Sequence, residues 1–234
     1  MVVADGPCTG RQPRAPGPVV PVTRILVFSR SPRPGHTKTR LIPALGPEGA
    51  AALHASLIDR TMKVAVEAGC GEVQLWCADN PDDPFMQGCA RRFQVTLRQQ
   101  QGADLGARMF HALNDARQAG HHAMLVGTDC PALTPEHLQQ ASDWLADRTD
   151  LVLGPAEDGG YVLIGVGRLE EGLFTDMPWG TSTVLDETCS RAQALGLSVK
   201  SLPPLPDLDR PEDLEHIDAA AQVECLDCAS RLMP

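Results

Sequence analysis

The segment SRSPRPGHTKTRL, residues 29–41, gathers Arg30, Arg33, His36, Lys38 and Arg40 directly behind the apolar run RILVF. The chain of 234 residues carries a formal net charge of −10 and only three lysines, yet no acidic residue occurs from Gly6 to Pro47. Clustered cations of this kind suit a diphosphate or triphosphate. Arginine supplies a bidentate fork and lysine a mobile point charge. Gly35 would let the backbone approach an anion closely, while Pro32 and Pro34 stiffen the loop. A solvated basic loop without a ligand is the competing reading. The spacing fails the P-loop pattern, since Lys38-Thr39 is preceded by Thr37 and Pro stands at position 32, and no G-x-G-x-x-G occurs.

Acidic candidates lie further along. In GTDCPALTPEHL, residues 127–138, Asp129 ends an apolar run. A carboxylate there can take a divalent cation that bridges to substrate phosphates, or can simply cap the following turn. PDLDRPEDL, residues 206–214, offers Asp207 and Asp209 ahead of a helical pattern, where an aspartate also serves as an N-cap. EDGGYVLIG, residues 157–165, sets Asp158 before Gly159 and Gly160, a pair that reads as a hairpin turn or as a close approach for a sugar or base. In PWGTST, residues 178–183, Trp179 beside small hydroxyl residues is either a core anchor or a stacking platform for a polar ring.

These residues need a scaffold, and the hydrophobic patterning describes one. Short apolar runs predict strands at 24–29, 72–78, 93–98, 122–127, 150–156, 160–166 and 198–202. Between them, amphipathic spacing predicts helices over 46–69, part of 82–92, 104–120, a segment capped by Thr134 with Pro135 and Glu136 in its first turn, 183–195, and the region after 206. Strands alternating with helices, several of them continuously apolar, predict a three-layer α/β/α fold with a mostly parallel sheet. Ligands of such sheets sit beyond the carboxyl ends of the strands, so the loops after Phe28, Gly127 and Ala156 are the expected site.

The hydrophobic fraction of 43% suffices for one domain, expected over 23–222 between tails at 1–22 and 223–234. The acidic charge argues against nucleic acid or anionic membrane partners. No run of 18 apolar residues predicts a membrane span, and the Pro- and Gly-rich first 22 residues lack the apolar region of a signal peptide. The eight cysteines read as reduced thiols of a cytoplasmic protein, with Cys225-x-x-Cys228 open between a metal or redox pair and an irregular terminus. Nothing in the pattern encodes an oligomeric state.

Five ordered motifs, KTRL, GTDCPAL, GPAEDGGYVLIG, PWGTSTVL and DLDRPEDL, resemble a little-characterised bacterial family of glycosyltransferases over residues 24–217. That family lies within the nucleotide-diphospho-sugar transferase superfamily, of glycosyltransferase-A fold, together with molybdenum-cofactor and 2-phospholactate guanylyltransferases. The resemblance implies phosphate contacts from Arg33, Lys38 and Arg40, to which the composition of the basic loop adds Arg30 and Gly35. It implies Mg²⁺ or Mn²⁺ on Asp129 and Asp209, and an acceptor or sugar pocket at Asp158, Gly159 and Gly160, which Trp179 would wall on the acceptor side. Lys38, Asp129 and Asp158 would then be catalytic. The expected activity is metal-dependent transfer of a glycosyl group from a nucleotide sugar to a small acceptor. The alternatives are nucleotidyl transfer from a nucleoside triphosphate to a phosphorylated small molecule, and nucleotide binding without catalysis.

Overall fold

The computed structural model describes residues 22–216. Seven strands form one sheet: β1 Thr23–Ser29, β2 Val73–Cys77, β3 Thr96–Gln99, β4 His122–Val126, β5 Leu151–Pro155, β6 Tyr161–Val166 and β7 Val199–Ser201. Their order is β3-β2-β1-β4-β6-β5-β7. All pairings are parallel except those of β6, which runs antiparallel to both β4 and β5. Sequence patterning gives the parallel majority. The reversed strand follows from the short β5–β6 connection, which is too brief for a crossover helix.

Five helices complete the three layers: α1 Ile42–Glu67, α2 Pro84–Phe93, α3 Leu105–Gln118, α4 Pro135–Ala146 and α5 Val184–Ala194. Alternation along β1 shows how they are arranged. Ile25 and Val27 join a core with Ile58 and Met62 of α1, Met86 of α2 and Leu138 of α4. Leu26 and Phe28 face the opposite core, with Met109 and Leu113 of α3 and Ala192 of α5. Because both faces are covered, the central strands are apolar at nearly every position.

Several boundaries move from the sequence expectation. α1 begins at Ile42 rather than near 46, but it breaks at Gly46 (φ 71°) before Pro47, so its long part starts where the pattern places it. α2 runs to Phe93, and Gln94 (φ 56°) turns the chain, so β3 starts at Thr96 rather than 93. The last expected helix appears as a 3₁₀ segment, Pro211–His216, and its continuation lies outside the described residues, as do Cys225 and Cys228. The segment 39–67 is long and apolar enough to cross a membrane, although no run of 18 consecutive apolar residues occurs in it. In the fold its apolar face lies on the sheet: Ile58, Met62 and Ala65 are buried with Ile25 and Val27 of β1.

Candidate functional site

The carboxyl ends of β1 to β5 and the amino end of β6 share one edge of the sheet. Over that edge lies a cavity of about 380 Å³. Its lining takes Arg30 from after β1, Ala78 from after β2, Gln100 from after β3, and Leu105, Arg108 and Met109 from α3. It also takes Asp129 from after β4, Asp158 and Gly160 from the β5–β6 turn, and Tyr161, Trp179 and Asp207. Trp179 lies against the start of α3: a Cβ on Gly106 would come within 2.8 Å of its Nε1.

Asp129 also belongs to a second arrangement at the cavity rim. Lys38 Nζ lies 2.9 Å from Asp129 Oδ1 and 3.8 Å from Asp209 Oδ1, and it donates a hydrogen bond to the Leu208 carbonyl. The Lys38 side chain is 3% exposed, whereas the carboxylate side chains are 51% and 37% exposed. Both carboxylate oxygens reach the same ammonium, so they are less than about 7 Å apart. Arg40 closes on the other oxygen of Asp209. The chain achieves this by setting Lys38 in the left-handed region (φ 48°, ψ 44°) just before the 3₁₀ turn Thr39–Leu41. Leu41 and Leu208 meet in a small core with Ala50, Leu53 and Leu57, which anchors the 206–210 loop against α1. The Leu208 amide donates to the Asp129 carbonyl at 2.8 Å, so the two acidic loops are also joined through the backbone.

The loop's cations thus find their acids elsewhere in the chain. Arg33 Nε lies 3.7 Å from Asp83 Oδ2, at the start of α2, while Lys38 and Arg40 face Asp129 and Asp209. Of the five residues Arg30, Arg33, Gly35, Lys38 and Arg40, Arg30 alone lines the cavity. Arg33 and Lys38 point to different partners, so the structure does not bring these two cations to a common point. Asp158, Gly160 and Trp179 do come together on the cavity, with Trp179 half-buried and packed edge-on to Tyr161 at 6.4 Å. Gly159 (φ 89°) supports them. A Cβ there would lie 2.1 Å from the Ser182 carbonyl oxygen, so only glycine lets the 156–160 turn dock on the PWGTST loop.

Sequence reasoning missed His54, Gln100, Arg108 and the siting of Asp207 on the cavity. His54 sits on the apolar face of α1 and reads as core, yet its Nε2 lies 3.2 Å from the Arg30 carbonyl oxygen and its Nδ1 4.0 Å from Asp129 Oδ1. Burial lowers its pKa, against the upward pull of Asp129 and with a further downward push from Lys38. Asp207 has its pKa raised, first by burial and next by the charge of Asp158. Among the described residues no group of three or more His, Cys, Asp or Glu side chains is gathered closely enough to hold a metal ion unaided. Cys70, Cys77, Cys89, Cys130 and Cys189 are free thiols, and burial raises the pKa of Cys130 to about 11.

A seven-stranded sheet of this order, with one reversed strand and an acidic residue leaving its centre at β4, is the nucleotide-diphospho-sugar transferase fold. A protein of Desulfovibrio desulfuricans, provisionally named a nucleotide-diphospho-sugar transferase, is similar over 91% of this chain and 98% of its own, with 27% identity and a TM-score of 0.78. Two solved structures share the fold at lower identity. A cytidylyltransferase from Leptospira borgpetersenii matches with 14% identity and a TM-score of 0.55, over 90% of this chain and 93% of its own. The 4-diphosphocytidyl-2C-methyl-D-erythritol synthase of Anaerococcus prevotii matches with 12% identity and a TM-score of 0.57, over 86% and 96%. The chain belongs to the family described as uncharacterized proteins conserved in bacteria, DUF2064, whose pattern matches residues 61–181. None of the curated proteins matches the sequence.

Proposed function

We propose that the chain is a glycosyltransferase that takes a nucleoside-diphosphate sugar and passes the sugar to a small, hydroxylated, unphosphorylated acceptor. The observation that carries this reading is the pair Asp158 and Asp207, which line the cavity without an ion pair among the described residues, whereas Asp129 is matched by Lys38. A phosphorylated acceptor, which nucleotidyl transfer requires, would meet like charge there. A second observation agrees. Arg33, Lys38 and Arg40 are already matched to carboxylates, so less free positive charge remains than a triphosphate calls for. The likeness at 27% identity to a protein named for nucleotide-diphospho-sugar transfer supports the same class.

In this reaction the acceptor oxygen bonds to the anomeric carbon as the bond from that carbon to the diphosphate breaks. The acceptor's hydroxyl proton goes to a carboxylate, and Asp158 is the candidate because its Oδ1 is already held by the Gly160 amide at 2.8 Å, which fixes its direction. Trp179 would stack on the acceptor ring. Arg30, the cation of the basic loop that lines the cavity, would answer the charge on the leaving diphosphate. The Asp129 and Asp209 carboxylates and the Leu208 carbonyl are hard oxygen donors around one cation position, and this donor set fits Mg²⁺ or Mn²⁺ completed by water and substrate oxygen. Asp129 and Asp209 would hold the ion, which when bound would neutralise charge on the diphosphate.

The test is product analysis. The protein is incubated with nucleotide sugars or with nucleoside triphosphates, with mixed hydroxylated or phosphorylated acceptors and divalent metal. Glycosyl transfer releases a nucleoside diphosphate; release of pyrophosphate from a triphosphate would replace this reading with nucleotidyl transfer.

A further inference from the structure

Two arginines and two aspartates share the cavity without pairing. Arg30, Arg108, Asp158 and Asp207 all line it, and none of the four forms an ion pair among the described residues. Opposite charges kept only for the fold would gain by meeting, so their separation marks distinct subsites. The arginines suit the diphosphate of the donor. The aspartates are left without a cation. Asp158 accepts from the Gly160 amide through Oδ1 at 2.8 Å. The largest charges acting on Asp207 are those of Asp158, Asp213 and Asp209, all negative. The neighbouring acids are already engaged: Lys38 and Arg40 lie against Asp209, and Asp213 accepts from the amides of Asp209 and Arg210.

A buried acceptor points into the same cavity. His54 is 5% exposed and belongs to the lining. Its Nε2 lies 3.2 Å from the Arg30 carbonyl oxygen, which can only accept, so Nε2 carries the hydrogen. Nδ1 of the neutral ring is then a bare lone pair. It is buried, has no partner among the described residues, and faces Asp129 Oδ1 at 4.0 Å, which has no hydrogen to give. Lys38, beside the same carboxylate, already faces Asp129, Asp209 and the Leu208 carbonyl, three acceptors for its three hydrogens. An unmatched buried acceptor is costly unless a ligand completes it. The cavity therefore asks for a ligand rich in hydrogen-bond donors, and the two unmatched carboxylates ask for one that carries positive charge.

We propose that the acceptor is a protonated amino alcohol of the amino-sugar or aminocyclitol class. Its ammonium lies against Asp207 and the ring of Trp179, which is held edge-on to Tyr161 at 6.4 Å and attracts a cation through its π face. A neighbouring hydroxyl faces Asp158, and another supplies a hydrogen to His54 Nδ1. This assignment rests on the glycosyl-transfer reading above and adds to it the class of acceptor. It also fixes which atom reacts. An ammonium has no lone pair, so the new bond forms at oxygen. The hydroxyl oxygen joins the anomeric carbon, its proton passes to Asp158, and the diphosphate leaves with the electron pair of the bond that breaks. The product is an O-glycoside that keeps its amine.

Saturation-transfer NMR measures binding of glucosamine, N-acetylglucosamine and glucose to the full chain at about pH 6, where the amine is protonated. Each is measured with and without a mixture of nucleoside diphosphates and Mn²⁺. The three sugars share a ring and differ at one position. We expect glucosamine to bind at least about tenfold more tightly than the other two, a preference that shrinks as salt is raised. Asp207→Asn gives the second arm. Its preference for glucosamine over N-acetylglucosamine should fall below about threefold while its affinity for glucose holds, a split that a general loosening of the fold would not produce. If the variant does not fold, the comparison in the native chain alone decides. Equal binding of amine and acetamide, binding of none of the three, or an undiminished preference in Asp207→Asn overturns the cationic acceptor. Nucleoside diphosphate released from a nucleotide sugar by the same preparation would then leave the glycosyl-transfer reading in place. Pyrophosphate released from a triphosphate overturns that reading and the acceptor assignment with it.

Discussion

Replacing Lys38 by methionine removes the ammonium and keeps most of the volume of its stem. In the native protein that ammonium, 3% exposed, lies 2.9 Å from Asp129 and 3.8 Å from Asp209 and donates to the Leu208 carbonyl. Breaking a fully buried ion pair from one side costs about 3–5 kcal/mol. Here the full figure does not apply, because the two carboxylates are 51% and 37% exposed and can rehydrate. What remains is the unmatched Leu208 carbonyl, worth about 1–2 kcal/mol, and the repulsion of two charges at about 7 Å, worth about 1 kcal/mol between surface and bulk screening. Lys38→Met should therefore cost about 2–3 kcal/mol. For a domain of this size that lowers the Tm by roughly 5–10 °C. Thermal unfolding at low salt and neutral pH measures the loss. Addition of Mn²⁺ should return part of it, because a divalent ion can take the oxygens the ammonium has left, and the variant should bind Mn²⁺ more tightly than the wild type does. A Tm within about 1 °C of the wild type, or Mn²⁺ affinity unchanged by the substitution, would refute the view that Lys38 is the resident cation of this carboxylate pair.

Other perturbations address the rest of the site. Asp158→Asn should lower kcat by on the order of 10²–10⁴ with nucleotide affinity unchanged, if this carboxylate takes the acceptor proton; equal losses in nucleotide binding would move it to the donor side. Gly159→Ala forces a Cβ to within 2.1 Å of the Ser182 carbonyl oxygen at a φ of 89°. It should destabilise by roughly 2–4 kcal/mol in urea unfolding. Full stability in that variant would show that the PWGTST loop is not docked on the turn. Asp207 has a raised pKa, so between its ordinary value near 3.9 and the folded value the native state holds the extra proton, and stability falls as pH rises through that window. Asp207→Asn should accordingly raise the Tm at pH 7, with the gain vanishing toward pH 4; a lower Tm at pH 7 would contradict this sign.

The layers were legible because hydrophobic period and continuity report burial directly. RILVF and HAMLV could only be strands covered on both faces, and they are β1 and β4, side by side at the centre. The strand order was not legible, since no local pattern states which apolar run pairs with which. The site divided in the same way. Residues that reach the cavity from the end of a strand, such as Asp129 and Asp158, stand out because a charge that interrupts an apolar run is conspicuous. The electrostatics of the basic loop did not emerge from composition. The loop is acid-free in sequence, but Asp83, Asp129 and Asp209 arrive from three distant segments. Gln100 and His54 gave no signal. A glutamine after a strand and a histidine on a helix's apolar face are common, and only the carbonyls around them disclose a directed side chain.

The partnership of Lys38 with Leu208 spans 170 residues of chain. At about 5–20 residues per second of synthesis, the basic loop emerges roughly 10–30 s before the segment that covers it. β1 likewise waits for β4, since Thr23 pairs with His122. During that interval a nascent chain offers an uncapped lysine and an unpaired strand edge, and it cannot yet form the substrate cavity. A chain that ends before the 206–210 loop therefore carries all seven strands of the sheet and none of the contacts that Lys38 makes with Leu208 and Asp209.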